Sequence, residues 1–150
     1  MKHMLILLAL IGVSFITKAQ TAEDTVKVTV NRLFEAMKNG DAAALKNCFA
    51  DSAILQTINK NKEGKIIIQN ETVDEFSISI TKLPKGDADE RIQFDIVKID
   101  GPLAIVWAPY KFFYKGKFSH CGVDSFQLVK INGEWKIQYL IDTRRKNKCD

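Results

Sequence analysis

At 150 residues, with 46% hydrophobic and 27% charged residues, the chain has the size and composition of one globular domain. A formal charge of +4 is too small for the single-sign field of a nucleic-acid binder. Two histidines, three cysteines without a CxxC spacing, and no Gly-rich phosphate loop, HExxH or GxSxG motif speak against a metal site or cofactor-dependent chemistry.

The N-terminus reads as an export signal. Lys2 supplies a positive start, Met4 to Ile16 form an apolar run of 13 residues that is too short to span a bilayer, and Thr17 and Ala19 suit a signal-peptidase site. Cleavage after Ala19 is expected, giving a periplasmic or secreted protein. No cysteine stands directly after the apolar run, the first being Cys48, so no lipid anchor is expected on the mature chain. Removing residues 1–19 takes away Lys2 and Lys18 and no acid, leaving a charge of +2.

From Thr25 to Asn39, Val26, Val30, Leu33, Phe34 and Met37 fall on one helical stripe, which Gly40 ends. Asp41 caps a shorter helix running to Phe49. Ala53 to Ile58 reads as a strand, turning through Asn59 to Gly64 into a second strand over Lys65 to Gln69. Thr72 and Glu75 form a capping-box pair for a third helix carrying Phe76, Ile80 and Leu83, and Pro84 stops it. A loop over Pro84 to Glu90 precedes strands at Ile92 to Ile99, Leu103 to Tyr114, Ser119 to Ile131 and Trp135 to Arg144. Asp100-Gly101 and Asn132-Gly133 are type I′ hairpin signals, and Lys115-Gly116 is a weaker one. Helices first and an antiparallel meander after them predict an α+β fold with one sheet face covered. Residues 146–150, following Arg144 and Arg145, form a basic, solvated tail. Cys48, Cys121 and Cys149 allow one internal disulfide, either Cys121 with Cys149 or Cys48 with Cys121.

The element order, the corner Gly40-Asp41 with Leu45, Phe49, Asp51 and Ala53, and the last hairpin Gly133, Trp135, Lys136 and Ile137 together resemble the nuclear transport factor 2-like (NTF2-like) superfamily. That cone-shaped, cystatin-like fold includes ketosteroid isomerase and polyketide cyclases of the SnoaL-like type. The run Phe118-Ser119-His120-Cys121-Gly122-Val123-Asp124-Ser125-Phe126 and the ending Asp142-Thr143-Arg144-Arg145 are similar to exported bacterial members labelled "putative lumazine-binding". The resemblance spans Gln20 to Arg145. It implies a conical cavity between helices and concave sheet face, and a homodimer through the outer sheet face.

Anchoring the last hairpin at Asn132-Gly133 pairs Leu128 with Ile137, Phe126 with Tyr139 and Asp124 with Ile141, which puts His120, Gly122 and Asp124 on the bulky apolar side. Pro109 cannot donate to the ladder, and a bulge there would turn Tyr110 and Phe112 to the same side as Leu103, Ile105 and Trp107. The candidate ligand-binding set is therefore Trp107, Tyr110, Phe112, Phe126 and Tyr139, with Arg144 at the cone mouth for an anionic group; core filling explains the aromatics equally well. His120 and Asp124 are the candidate acid–base groups. Four residues apart on one strand, about 13 Å, they cannot bond each other; Asp142 could orient His120 instead, but this register puts it opposite Val123 on the outer face, so a bulge in the last strand would be required. Asp124 alone, desolvated, would carry a raised pKa. Three functions stay open: a binding module for a small hydrophobic or aromatic molecule, a cofactor-free isomerase, dehydratase or cyclase using Asp124 or His120, and a dimerising interaction domain without ligand.

Overall fold

The computed structural model describes residues 21–149, so the export signal and its cleavage site lie outside the described residues. Three helices, α1 (Ala22–Asn39), α2 (Ala42–Asn47) and α3 (Val73–Thr81), cover one face of a curved seven-stranded sheet. The strands are β1 (Phe49–Lys60), β2 (Ile66–Glu71), β3 (Ala88–Ile92), β4 (Ile96–Asp100), β5 (Leu103–Tyr114), β6 (Lys117–Ile131) and β7 (Glu134–Thr143). Their order is β2-β1-β7-β6-β5-β3, with β4 also on β5; β1 runs parallel to β7, and the other pairs are antiparallel.

The helices begin and end where the sequence supplies caps. Thr21 with Asp24 and Thr72 with Glu75 make capping boxes at α1 and α3, Asp41 accepts from the Ala44 N–H at α2, and Gly40 ends α1 at φ +67°. The α1 stripe buries Val26, Val30, Leu33 and Met37 against Ala104, Val106, Phe126, Leu128 and Ile137 of the sheet. Each such side chain contributes about 1.5–3 kcal/mol by leaving water. Trp135 fixes the helix lengthwise: its Nε1–H donates to Thr25 Oγ1 at 3.1 Å, and its carbonyl accepts from Thr29 Oγ1 at 3.3 Å.

Several elements depart from the sequence expectation. Phe49 opens β1 instead of closing α2, and the expected Pro84–Glu90 loop ends in a strand, β3, which pairs with the far end of β5. The expected strand from Ile92 to Ile99 is broken between β3 and β4. At the β4–β5 corner the loop is Gly101-Pro102, with positive φ at Gly101 and not at Asp100, so the type I′ turn expected at Asp100-Gly101 does not form. Lys115-Gly116 and Asn132-Gly133 both place two residues at positive φ, as a type I′ turn requires. Cys121 and Cys149 form a disulfide, and Cys48 is free and buried. The disulfide straps the tail onto β6, where Cys121 and Arg145 also exchange backbone hydrogen bonds of 2.8 Å each way.

Register decides which side chains face the helices. No bulge occurs at Pro109: β5 pairs continuously with β6 from Leu103 to Phe112, so Ala104, Val106, Ala108, Tyr110 and Phe112 form its concave face. A bulge that matters for the inner face lies instead in β7. Leu128 pairs with Ile137 as expected, but Gln127 pairs with Tyr139, leaving Gln138 as an extra residue whose amide donates to the Ser52 carbonyl at 2.9 Å. Beyond it every β7 side chain changes face, so Asp142 stands opposite Asp124 rather than Val123.

Gly122 permits the closest approach in this region. A Cβ there would lie 1.7 Å from the Thr143 carbonyl oxygen and 2.7 Å from the Tyr110 ring. Gly122→Ala must therefore push β7 and Tyr110 away from β6, and equilibrium denaturation should show a loss of about 1–3 kcal/mol or more. Unchanged stability would mean that this approach is not as close as described.

Candidate functional site

A cavity of about 250 Å³ opens between α1, α3 and the concave sheet face. Its walls are apolar, with Leu33, Phe34 and Met37 from α1 and Phe76, Ile80 and Leu83 from and beyond α3. Its floor is polar and carries Glu90 (β3), Tyr110 (β5), His120 and Asp124 (β6), Asp142 (β7) and Arg144 just after it, with Glu71 (β2) towards the side.

The floor is built around Asp142, which the β7 bulge turns inward. Its Oδ1 accepts from Thr57 Oγ1 at 2.5 Å, and its Oδ2 accepts from Arg144 Nε at 2.9 Å and lies 3.2 Å from the Tyr110 hydroxyl. Arg144 also donates to Thr57 at 3.1 Å, while the Tyr110 hydroxyl is 2.9 Å from the Thr143 carbonyl. Burial opposes the charge on Arg144, but the hydrogen bond and charge of Asp142 outweigh it and raise its pKa. Burial, with Asp142, Glu90 and Asp124 nearby, holds the Tyr110 phenol far above its usual range and therefore neutral.

Glu90 and Asp124 sit differently. The curl of the sheet brings these carboxyls, from strands separated by β5, within hydrogen-bond reach of each other. Asp124 is only 3% exposed, and its Oδ2 has no hydrogen-bond donor among the other groups. Two ionised carboxylates cannot bond, so a shared proton joins them. Burial raises both pKa values; the charge of Asp142 adds to this, and Arg144 opposes it. The more buried Asp124 keeps the proton and donates it to Glu90, whose pKa burial raises to about 7. Glu71 is also raised by burial.

His120 faces the same cavity, between the rings of Tyr110 and Phe112 at centroid distances of 5.7 and 5.0 Å. Burial first, and then Arg144, lower its pKa, leaving a neutral imidazole at pH 7. Its Nδ1 is 3.1 Å from Ser119 Oγ; a His120–Asp142 bond does not form even though the bulge brings Asp142 to the inner face.

Of the candidate residues, the structure gathers Tyr110, Phe112, His120, Asp124 and Arg144 at the cavity. The others lie elsewhere. Trp107 is 44% exposed on the outer face, because the concave phase of β5 is the one holding Ala108 and Tyr110. Tyr139 follows the bulge, pairs with Gln127 and donates to Gln56 Oε1 at 2.6 Å, away from the cavity lining. Phe126 is wholly buried, edge-on beneath Phe34 at 6.2 Å, and belongs to the core. Arg144 is bonded to Asp142 through Nε and to Thr57 through one terminal nitrogen. Glu90, Thr57 and the inward Asp142 escaped sequence reasoning. Among the described residues, no three His, Cys, Asp or Glu side chains are grouped to hold a metal ion.

Residues 21–139 match the family model described as "Putative lumazine-binding". The chain belongs to this family. No curated protein matches it. Among solved structures, an NTF2-like protein from Shewanella baltica superposes with a TM-score of 0.63 at 15% identity, covering 82% of this chain and 93% of its own. A cystatin-like domain from Nostoc punctiforme gives 0.65 at 16%, covering 87% and 82%. An NTF2-like protein from Streptomyces avermitilis, described as a "putative dehydratase", gives 0.60 at 14%, covering 83% and 96%. At these identities the shared property is the NTF2-like fold, which hosts many functions, so these neighbours do not assign a reaction or a ligand to the floor residues.

The raised Glu90 pKa fixes a pH dependence of folding. The folded state binds this proton more tightly than the unfolded chain, where the usual value is about 4.5, so the stabilisation is full below that value and is lost as pH rises towards 7. His120, lowered on folding, acts in the opposite sense, so wild type must be compared with Glu90→Gln. From pH 5 to 8 the melting temperature of wild type should fall relative to that of Glu90→Gln. Parallel profiles would mean that Glu90 titrates normally.

Proposed function

We propose that this NTF2-like domain works outside the cytoplasm as a homodimer that takes a small, flat, largely apolar molecule into the cone cavity. The carrying observation is the cavity itself: apolar walls end on a floor of buried polar groups that includes an Asp124 oxygen without a donor of its own. Cavities built this way, apolar with a few placed polar groups, are the usual form of a small-molecule site. The family description points in the same direction, since lumazine is a flat bicyclic heterocycle with hydrogen-bonding edges.

Export is supported by the apolar run at Met4–Ile16 after Lys2, and by the Cys121–Cys149 disulfide, which persists in oxidising compartments. The dimer is supported by the outer sheet face, where Ile96, Leu103, Ile105 and Trp107 lie side by side on β4 and β5, each more than 40% exposed.

A second reading, acid–base catalysis without a cofactor, is favoured by one observation. A carboxyl poised near pH 7 inside an apolar cavity is what a general acid or base requires. In that reading Glu90 exchanges the proton and Asp124 holds it in place; the neutral His120 lies beside the same cavity.

Native mass spectrometry of protein exported by its own host tests binding and assembly together. Wild type should appear as a dimer carrying a co-purified small molecule, Trp107→Ser as a loaded monomer, and Leu83→Trp, which fills the cavity, as an empty dimer. Bare wild-type monomer would sink the proposal.

A further inference from the structure

The donor and acceptor inventory of the floor narrows the chemistry of the ligand. Thr57 spends its hydroxyl proton on Asp142, and Tyr110 spends its own on Asp142 or the Thr143 carbonyl. Arg144 is committed to Asp142 and Thr57, so its charge is matched within the protein. Ser79 donates to the Phe76 carbonyl. Asp124 is sealed, with its Oδ2 out of contact with solvent, and can serve a ligand only through Glu90. Glu90, by contrast, lines the cavity and keeps part of its surface open. After these pairings the floor offers carboxylate acceptors at Glu90 and Glu71, while its hydroxyl donors are spent, its one guanidinium is charge-matched by Asp142, and His120 contributes a neutral ring with one N–H.

From this geometry we infer that the cavity selects an organic cation, a protonated amine or amidine on a flat apolar body, and that Glu90 receives its N–H groups with Asp124 as the positioning residue behind it. The inference rests on the cavity being a ligand site. An anion would meet the three carboxyls of Glu71, Glu90 and Asp142, answered by an arginine already paired with Asp142 and by the N–H of a neutral His120. An amidinium is planar, presents parallel N–H groups and matches a carboxylate fork, and its apolar body would lie along Phe34 and Phe76. The site differs from a surface acidic cluster in being enclosed and in holding a carboxyl that the protein leaves without an ordinary donor.

Binding a cation to Glu90 requires the ionised form, so it releases the proton that Glu90 carries below about pH 7. The groups facing Glu90 are Tyr110 on β5, His120 and Asp124 on β6, Asp142 and Arg144 on and after β7, and Glu71 on β2, with Lys146 acting on His120 from the tail. Among them His120, by becoming cationic below 6.5, and Glu71, a second carboxyl that burial raises, could mimic the effect at low pH, and both remain in Glu90→Gln, which separates them from Glu90.

Benzamidine, benzamide and benzoate share one shape and differ in charge, which makes them suitable probes. Titration calorimetry and ring NMR signals of Phe34 and Phe76 would be followed from pH 5 to 9 on the full mature chain. Benzamidine should bind about 10- to 100-fold more tightly than benzamide at pH 8, the worth of a hydrogen bond to a charged group, and benzoate more weakly than either. Its affinity should fall about tenfold per pH unit below 7 and level off above, with proton release visible as a buffer-dependent heat. Glu90→Gln, which keeps the side-chain shape, should abolish both the preference and the pH dependence. Asp124→Asn should lower the midpoint while keeping the preference, and Glu63→Gln on the exposed β1–β2 hairpin should change neither. Equal binding of benzamidine and benzamide, tighter benzoate, or an unchanged Glu90→Gln profile overturns the inference, while Phe34 and Phe76 shifts with the neutral probe would leave the cavity reading standing. If no probe moves those signals, both fail.

Discussion

Glu90 and Asp124 meet inside a cone walled by Leu33, Phe34, Phe76 and Leu83, where burial disfavours a second negative charge and the nearest cation, Arg144, is paired with Asp142. The pair must hold a proton, and much of the surrounding arrangement follows from where that proton sits. Asp124, the sealed member, keeps it; Glu90, at the surface of the cavity, feels the result as a pKa near 7. One carboxylate thus becomes both a recognition group and a group that responds to pH in the physiological range.

That state depends on features of the sheet well away from the pair. The extra residue Gln138 turns Asp142 and Leu140 inward, and Asp142 then draws in Arg144, Thr57 and Tyr110. Tyr110 can lie across β6 only because position 122 has no side chain. Arg144 leads into the tail that Cys121 and Cys149 strap to β6. Asp142 is therefore compensated by its own partners, leaving the protonated pair to be governed by burial and by the residual field of those charges. Partial burial and the charge of Arg144 lower the His120 pKa beside the pair.

The fold was legible because its signals are local. The capping box at Thr72, the α1 stripe and the Asn132-Gly133 turn each depend on neighbours within a few residues, and they set their helices and hairpin correctly, whereas the Thr21 cap, which starts α1 three residues before the expected Thr25, went unread. The site was legible only in part. His120 and Asp124 followed from alternation along β6, which has no irregularity between them, whereas Tyr139 and Asp142 lie beyond a bulge that no residue type announces. Glu90 sits in the charged run Asp87 to Arg91, which reads as a solvated loop, and only pairing with β5 reveals a strand. Trp107 misled through size: Leu103, Ile105 and Trp107 look more core-like than Ala104, Val106 and Ala108. Yet where α1 packs against β5 the small side chains face inward, and the large ones fall on the outer face.

The shared proton can be observed directly. Carbon-13 NMR of the side-chain carboxyl groups, followed from pH 3 to 9, reports the titration of each acid separately. Glu90 should titrate with a midpoint near 7 while Asp124 remains protonated at that pH, and Asp124→Asn should move the Glu90 midpoint. Ordinary midpoints near 4 for both carboxyls would contradict the account, since two independent carboxylates could not occupy this floor.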